Sequence, residues 1–180
     1  GNTASCSFTV TVSDNEGPAI TLPVPPVINA NALCQASVPA IAATYSDNCT
    51  PLASIIISQV PAAGATIGIG VTTVTVTATD LYGNSTNSNI DVTVVDVTQP
   101  VITPPVDPTI NLDGSCQALV PNFLATLAVS DNCTPFASLL LSQNPAAGSP
   151  LIGAGATPVK IYAEDAAGNI DSITVIVTAQ

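Results

Sequence analysis

The 180-residue sequence predicts an all-β protein. Three observations carry that expectation. The apolar content comes from Val, Ile, Ala and Leu among many Thr and Ser, with only three tyrosines and three phenylalanines. β-branched side chains of this kind suit half-buried pleated surfaces. Sixteen prolines and eleven glycines cut the chain into runs too short for long helices. From Val74 the chain alternates strictly, with Val74, Val76 and Ala78 separated by threonines, the period of a strand with one buried face.

The chain repeats itself. ITLPVPPVINANALCQASVPA from Ile20 matches ITPPVDPTINLDGSCQALVPN from Ile102, and SDNCTPLASIIISQVPAAG from Ser46 matches SDNCTPFASLLLSQNPAAG from Ser130. The D-L-Y-G-N of 80–84 returns as D-A-A-G-N at 165–169. The offsets drift from 82 to 85 residues, so the small insertions fall in loops. The opening GNTASCSFTVTVSDNEGP aligns with GNSTNSNIDVTVVDVTQP from Gly83. Residues 1–14 thus read as the last strand of an upstream repeat, and the organisation is 1–16 (terminal strand and linker), 17–96 and 97–180. Within 17–96, strands are expected near 18–22, 25–29, 35–42, 53–59, 66–69, 71–79 and 88–95. The Pro-rich PVPPVI belongs on an edge, where a missing N–H removes no ladder bond. About seven short strands in some 80 residues predict tandem immunoglobulin-like β-sandwiches.

Charge excludes several functions. Lys160 is the only basic residue against twelve acids, and histidine is absent. Nucleic acid is not a partner, because nothing neutralises phosphate, and anionic membrane surfaces find no basic patch. No apolar run reaches the roughly 18 residues needed to insert into a bilayer. Lys160 sits in the alternating run VKIYAED and reads as a solvent-facing strand residue. Without a histidine base, and with no obvious cleft for paired carboxylates, the chain reads as a non-enzyme. One basic residue also leaves one site for a trypsin-like protease, which suits a durable external material. Compositional drift in a repetitive gene explains it equally well.

The run D-N-C, then P-A-A-G, then GVTTVTVTATDLYGN, with GNTASCSFTVTV at the start, resembles the hyalin repeat over essentially the whole chain. The resemblance implies an extracellular immunoglobulin-like module of long adhesive or fibrous surface proteins, as in large bacterial adhesins. It also implies a cysteine scheme. The family's first cysteine position is Leu22 or Pro104 here, and its fourth is Ser88 in the first full repeat. The second and third remain as Cys34 with Cys49 and Cys116 with Cys133, so bridges Cys34–Cys49 and Cys116–Cys133 are expected. Cys6 is a fourth-type cysteine, unpaired within this chain, whose partner belongs to the upstream repeat. Thiol chemistry or metal binding is the other reading of these cysteines, but zinc lacks both histidine and C-x-x-C spacing. Persisting disulfides imply an oxidising, extracellular location.

In an immunoglobulin-like sandwich the loops holding Asp47 and Asp80 lie at one end, near the incoming Asp14 and Glu16. Asp96, Asp131, Glu164 and Asp165 repeat that set. Such oxygen ligands suit Ca²⁺ at domain junctions. The competing reading is that Asp47 and Asp131 cap turns and the other acids are solvated. Asn48, Asn84 and Asn132 stand in N-x-[ST] sequons, and Asp171-Ser172-Ile173 resembles a short O-glycosylation motif; both are weak patterns.

Three functions follow from these observations. The first is a stalk or fibre segment whose partners are neighbouring repeats. The second is a module binding a surface glycan or protein, with Tyr82 as the candidate contact; its counterpart Ala167 carries no ring. The third is a filament subunit whose strand 1–12 completes a neighbour's sheet. The stalk explains the repeats with the fewest assumptions.

Overall fold

The computed structural model describes residues Gly1–Gln180 and is all-β. It forms two compact units, one of Gly1–Ile28 and Ala36–Thr93, the other of Asn29–Gln35 and Val94–Gln180. The first repeat contributes β1 (Ala19–Thr21), β2 (Val27–Asn29), β3 (Gln35–Ser37), β4 (Thr44–Ser46), β5 (Ile56–Val60), β6 (Thr66–Gly68), β7 (Gly70–Thr79) and β8 (Ser85–Val95). The second contributes β9 (Val101–Thr103), β10 (Thr109–Ile110), β11 (Gln117–Leu119), β12 (Ala128–Ser130), β13 (Leu140–Asn144), β14 (Pro150–Ile152), β15 (Gly155–Glu164) and β16 (Ile170–Ala179). The only helices are single 3-10 turns.

The topology repeats strand for strand. A four-stranded sheet runs β2-β8-β7-β5 in the first repeat and β10-β16-β15-β13 in the second. Two-stranded pieces β1-β4 and β3-β6 recur as β9-β12 and β11-β14. The Pro-rich segment lies beside an edge strand, as its missing N–H groups require, and in the second unit the edge strand β10 pairs parallel with β16.

Strict alternation sets the core. In the first unit Val74, Val76 and Ala78 of β7 are fully buried with Ile90 and Val92 of β8. In the second, Val159, Ile161 and Ala163 of β15 join Val175 and Val177 of β16, capped by Ile102, Val120, Phe123, Leu127 and Leu151. The linker prolines Pro18 and Pro100 are fully buried as well.

One expectation changes. The run 35–42 is not one strand. β3 pairs with β6 and β4 pairs with β1, so the chain changes sheets across 38–43. Pro39 has no N–H to offer a ladder there, and the Gln59 side chain takes over. Its Oε1 accepts the N–H of Ile41 (2.9 Å), and its Nε2 donates to the carbonyls of Pro39 (3.1 Å) and Pro61 (3.2 Å). Gln143 does the same for Phe123, Pro121 and Pro145. Residues 1–12, expected to belong to an upstream repeat, join none of the sheets of this chain. Their alternating Phe8, Val10 and Val12 are 86%, 71% and 89% exposed.

Candidate metal centres

Each unit builds the same constellation from two loops and one incoming residue. In the first unit the loop after β4 folds around Asp47, whose Oδ1 accepts the N–H groups of Cys49 (3.0 Å) and Thr50 (2.6 Å). The buried Thr50 hydroxyl accepts the Leu81 N–H (3.4 Å), tying this loop to the one between β7 and β8. There Asp80 Oδ1 accepts the N–H groups of Tyr82 (2.9 Å) and Asn84 (2.7 Å). Gly83 takes a φ of +90°, the left-handed conformation that side chains resist. Asn84 Nδ2 then donates to Asp80 Oδ2 (2.7 Å) and to the Asp14 carbonyl (3.2 Å), drawing the incoming segment onto the loops.

The second unit reproduces each contact. Asp131 Oδ1 accepts from Cys133 (2.9 Å) and Thr134 (2.6 Å), and the Thr134 hydroxyl accepts from Ala166 (3.1 Å). Asp165 Oδ1 accepts from Ala167 and Asn169 (both 2.8 Å), with Gly168 at φ +87°. Asn169 Nδ2 bridges Asp165 Oδ2 (2.7 Å) and the Asp96 carbonyl (3.3 Å).

In each unit these bonds bring three carboxylates together. One oxygen from each of Asp14, Asp47 and Asp80, and one from each of Asp96, Asp131 and Asp165, lie within 4.8 Å of one another. Burial pushes the Asp80 carboxyl up, but the Asn84 side chain and the N–H groups of Asn84, Tyr82 and Gly83 outweigh it and hold it below the usual range. Asp165 is lowered against the same burial by Asn169, Ala167 and Gly168. Although Cys49 is exposed, partial desolvation at its sulfur, then the carboxylates of Asp14, Asp47, Glu16 and Asp80, pushes the thiol up.

Six of the eight acids expected to converge do so, and two do not. Glu16 turns to Asn48, whose Nδ2 donates to its Oε2 (3.3 Å). Glu164 stands on β15 opposite Ile170, outside the cluster. Asp47 and Asp131 do cap their turns, but Asp80, Asp96 and Asp165 are buried rather than solvated. The sequence reading missed Asn84, Asn169, Thr50 and Thr134 as organisers, although all four sit in the repeated D-x-x-G-N and D-N-C-T runs. The Asn84 sequon is occupied by these hydrogen bonds, and Asn132 Nδ2 is engaged with the Asn31 carbonyl (3.2 Å). Asn48 and Tyr82 are exposed.

The cysteine pairing differs from that expected. Cys34 is bonded to Cys133, 99 residues along the chain, while Cys6, Cys49 and Cys116 are free and exposed. The expected bridges Cys34–Cys49 and Cys116–Cys133 do not form. Cys34 precedes β3 and Cys49 follows β4, so the sheet-changing stretch 35–46 separates them, and they fall in different compact units. Within the second unit, Cys34 instead projects from a tight turn. Asn31 Oδ1 accepts the N–H groups of Leu33 (2.8 Å) and Gln35 (3.2 Å), and Cys34 takes a φ of +60°. Asp113 builds the same turn around Cys116, at φ +58°.

No protein-family model matches the chain, and no curated protein matches it. Solved structures do. Mouse cadherin-23 EC22-24 aligns at 13% identity with a TM-score of 0.50, over 93% of this chain and 67% of that one. Protocadherin gamma B2 extracellular cadherin domains 1-5 align at 11% identity and a TM-score of 0.46, over 94% of this chain. Sidekick-1 immunoglobulin domains 1-4 align at 10% identity and 0.44, over 93%. The fold is an immunoglobulin-like β-sandwich. The chain spans 41% of the protocadherin and 51% of the Sidekick-1 structure.

Proposed function

We propose that the chain is a structural segment of a large, repetitive extracellular adhesin of the hyalin-repeat type, whose work is spacing and stiffening rather than catalysis. In this reading 17–96 and 97–180 are successive modules, and 1–16 is the closing strand and linker of a preceding one. The supporting observation is the Cys34–Cys133 bond, whose 99-residue separation exceeds the repeat offset. It joins the cysteine of one repeat's D-N-C loop to a cysteine of the repeat before it. Cys49 is the counterpart of Cys133, and Cys116 the counterpart of Cys34. In a longer array the same bond would recur, using Cys49 backwards and Cys116 forwards. Each new bond would form from two thiols by exchange with a disulfide-donating oxidase, with the electrons passing to that donor. Such bonds persist only in an oxidising compartment, which supports an extracellular location.

Electron microscopy of the native assembly tests this reading. Thin single-chain fibres whose length grows with the number of repeats support it; compact particles of fixed size would refute it. A second reading has its own observation. The exposed alternating segment with Phe8, Val10 and Val12 suits pairing with the sheet edge of another subunit. Filaments with a constant lateral subunit pattern would favour that assembly. A glycan-binding role for Tyr82 is less well supported, because the second repeat has Ala167 in its place.

A further inference from the structure

We propose that each unit binds one calcium ion, through Asp14, Asp47 and Asp80 in the first and Asp96, Asp131 and Asp165 in the second. This does not depend on the stalk reading, since it concerns each unit's own loops. Convergence of three acids would not suffice by itself. The deciding feature is Asp96. It is only 8% exposed, it contributes an oxygen to the cluster, and its Oδ2 is buried with no hydrogen-bond partner. Asp131 Oδ2 is likewise buried and unpartnered, as is Asp14 Oδ2 in the first unit. A buried carboxylate oxygen with neither donor nor counter-charge is a costly arrangement that a fold keeps only with compensation.

The chain has no cation of its own to supply. The first unit contains no basic side chain, and the single lysine of the second, Lys160, lies over the Tyr162 ring, with its Nζ 5.0 Å from the ring centroid. There is no histidine to take up a proton near neutral pH. Three mutually repelling carboxylates therefore require an external positive charge. Their remaining donors are all hard oxygens, which excludes the soft-ligand metals and leaves the oxygen-seeking divalent ions.

Calcium is favoured over magnesium by ligand flexibility. The carboxylates come from three separate segments, and calcium accepts six to eight oxygens in irregular geometry, whereas magnesium demands a near-ideal octahedron. The Oδ1 atoms that hold the N–H groups of Cys133, Thr134 and Thr98 fix the side chains so that each Oδ2 is free to ligate.

The test is titration calorimetry of the full oxidised chain with CaCl2, after EDTA treatment and dialysis, with thermal melts alongside. The expected result is two ions per chain and a melting temperature raised on the order of 10 °C at a hundredfold excess over the dissociation constant. Asp131→Asn and Asp47→Asn should each lose one ion, because the amide keeps the Oδ1 acceptor but removes the charge. Three outcomes would overturn the assignment: no heat and no melting shift up to about 10 mM CaCl2; two ions still bound in both variants; or MgCl2 binding more tightly than CaCl2. If a variant fails to fold by circular dichroism, the wild-type stoichiometry decides.

Discussion

The two repeats share their interiors and differ on their outer faces. In the first, the exposed side of the β7–β8 pair is a polar ladder. Thr73 bonds Asp91 (2.7 Å), Thr75 bonds Asn89 (2.9 Å), Thr77 bonds Asn87 (2.8 Å) and Thr79 meets Ser85 (2.8 Å). The matching positions of β15 and β16 pair Pro158 with Ile176, Lys160 with Thr174, Tyr162 with Ser172 and Glu164 with Ile170, and no such ladder forms. The inward positions remain apolar and buried in both. The Gln59 and Gln143 bridges, the two left-handed glycines and the three-aspartate clusters are also retained in both. The contrast separates what the sandwich needs from what its surface tolerates. The cysteines add a third category. Cys133 is bonded and Cys49 is free, although their loops are built alike.

The unshared disulfide apart, breaking the shared features should cost more than breaking the differing ones. The largest effect is expected at the disulfide. In the chain-entropy account, a bond closing a loop of about 100 residues contributes up to roughly 4.7 kcal/mol. Cys133→Ser should therefore lower the free energy of unfolding by that order in a urea titration under non-reducing conditions. Cys49→Ser should leave it within about 0.5 kcal/mol. Next come the glutamines. Gln59→Ala and Gln143→Ala each strand an N–H and two carbonyls at the sheet change, at a cost of about 2–3 kcal/mol, equal in the two repeats. Domain-resolved hydrogen exchange would assign each loss to its own unit.

Glycine substitutions sharpen the comparison further. An added Cβ at Gly83 or Gly168 meets nothing within 4 Å, so any cost comes from the left-handed backbone alone. Gly83→Ala and Gly168→Ala should each cost about 1–2 kcal/mol in thermal unfolding. Each should also weaken whatever the aspartate cluster beside it binds. The smallest effect is expected on the ladder. Thr75→Val removes one exposed hydrogen bond but keeps the β-branched shape, and should change stability by no more than about 0.5 kcal/mol.

Much of this was legible in the sequence, for physical reasons. A period of two has one structural meaning when threonine and valine alternate, so β7, β8 and the core followed directly from Val74, Val76 and Ala78. The D-x-x-G-N loop was legible as a repeated run, although the left-handed turn at its glycine was not read from it. The sheet change at 38–43 was not legible, since the bond that replaces the ladder comes from Gln59, eighteen residues from its Ile41 partner. The Q-x-P it belongs to, repeated at 143–145, was a signal available in the alignment. Glu16 and Glu164 were grouped with the aspartates because they are close in sequence, but a neighbour along a strand or turn points elsewhere. The disulfide was the hardest to read. Pairing depends on which loop tips approach one another, and the spacing of cysteines along one repeat says nothing about a partner in the next.

Non-reducing peptide mapping by mass spectrometry tests most directly whether consecutive repeats are joined covalently. Digestion must use a protease other than trypsin, given the single Lys160. The expected result is one linked pair joining the peptide of Cys34 to that of Cys133, with Cys49 and Cys116 not linked to either. Bonds Cys34–Cys49 or Cys116–Cys133 would contradict it, and would return each cysteine pair to its own repeat.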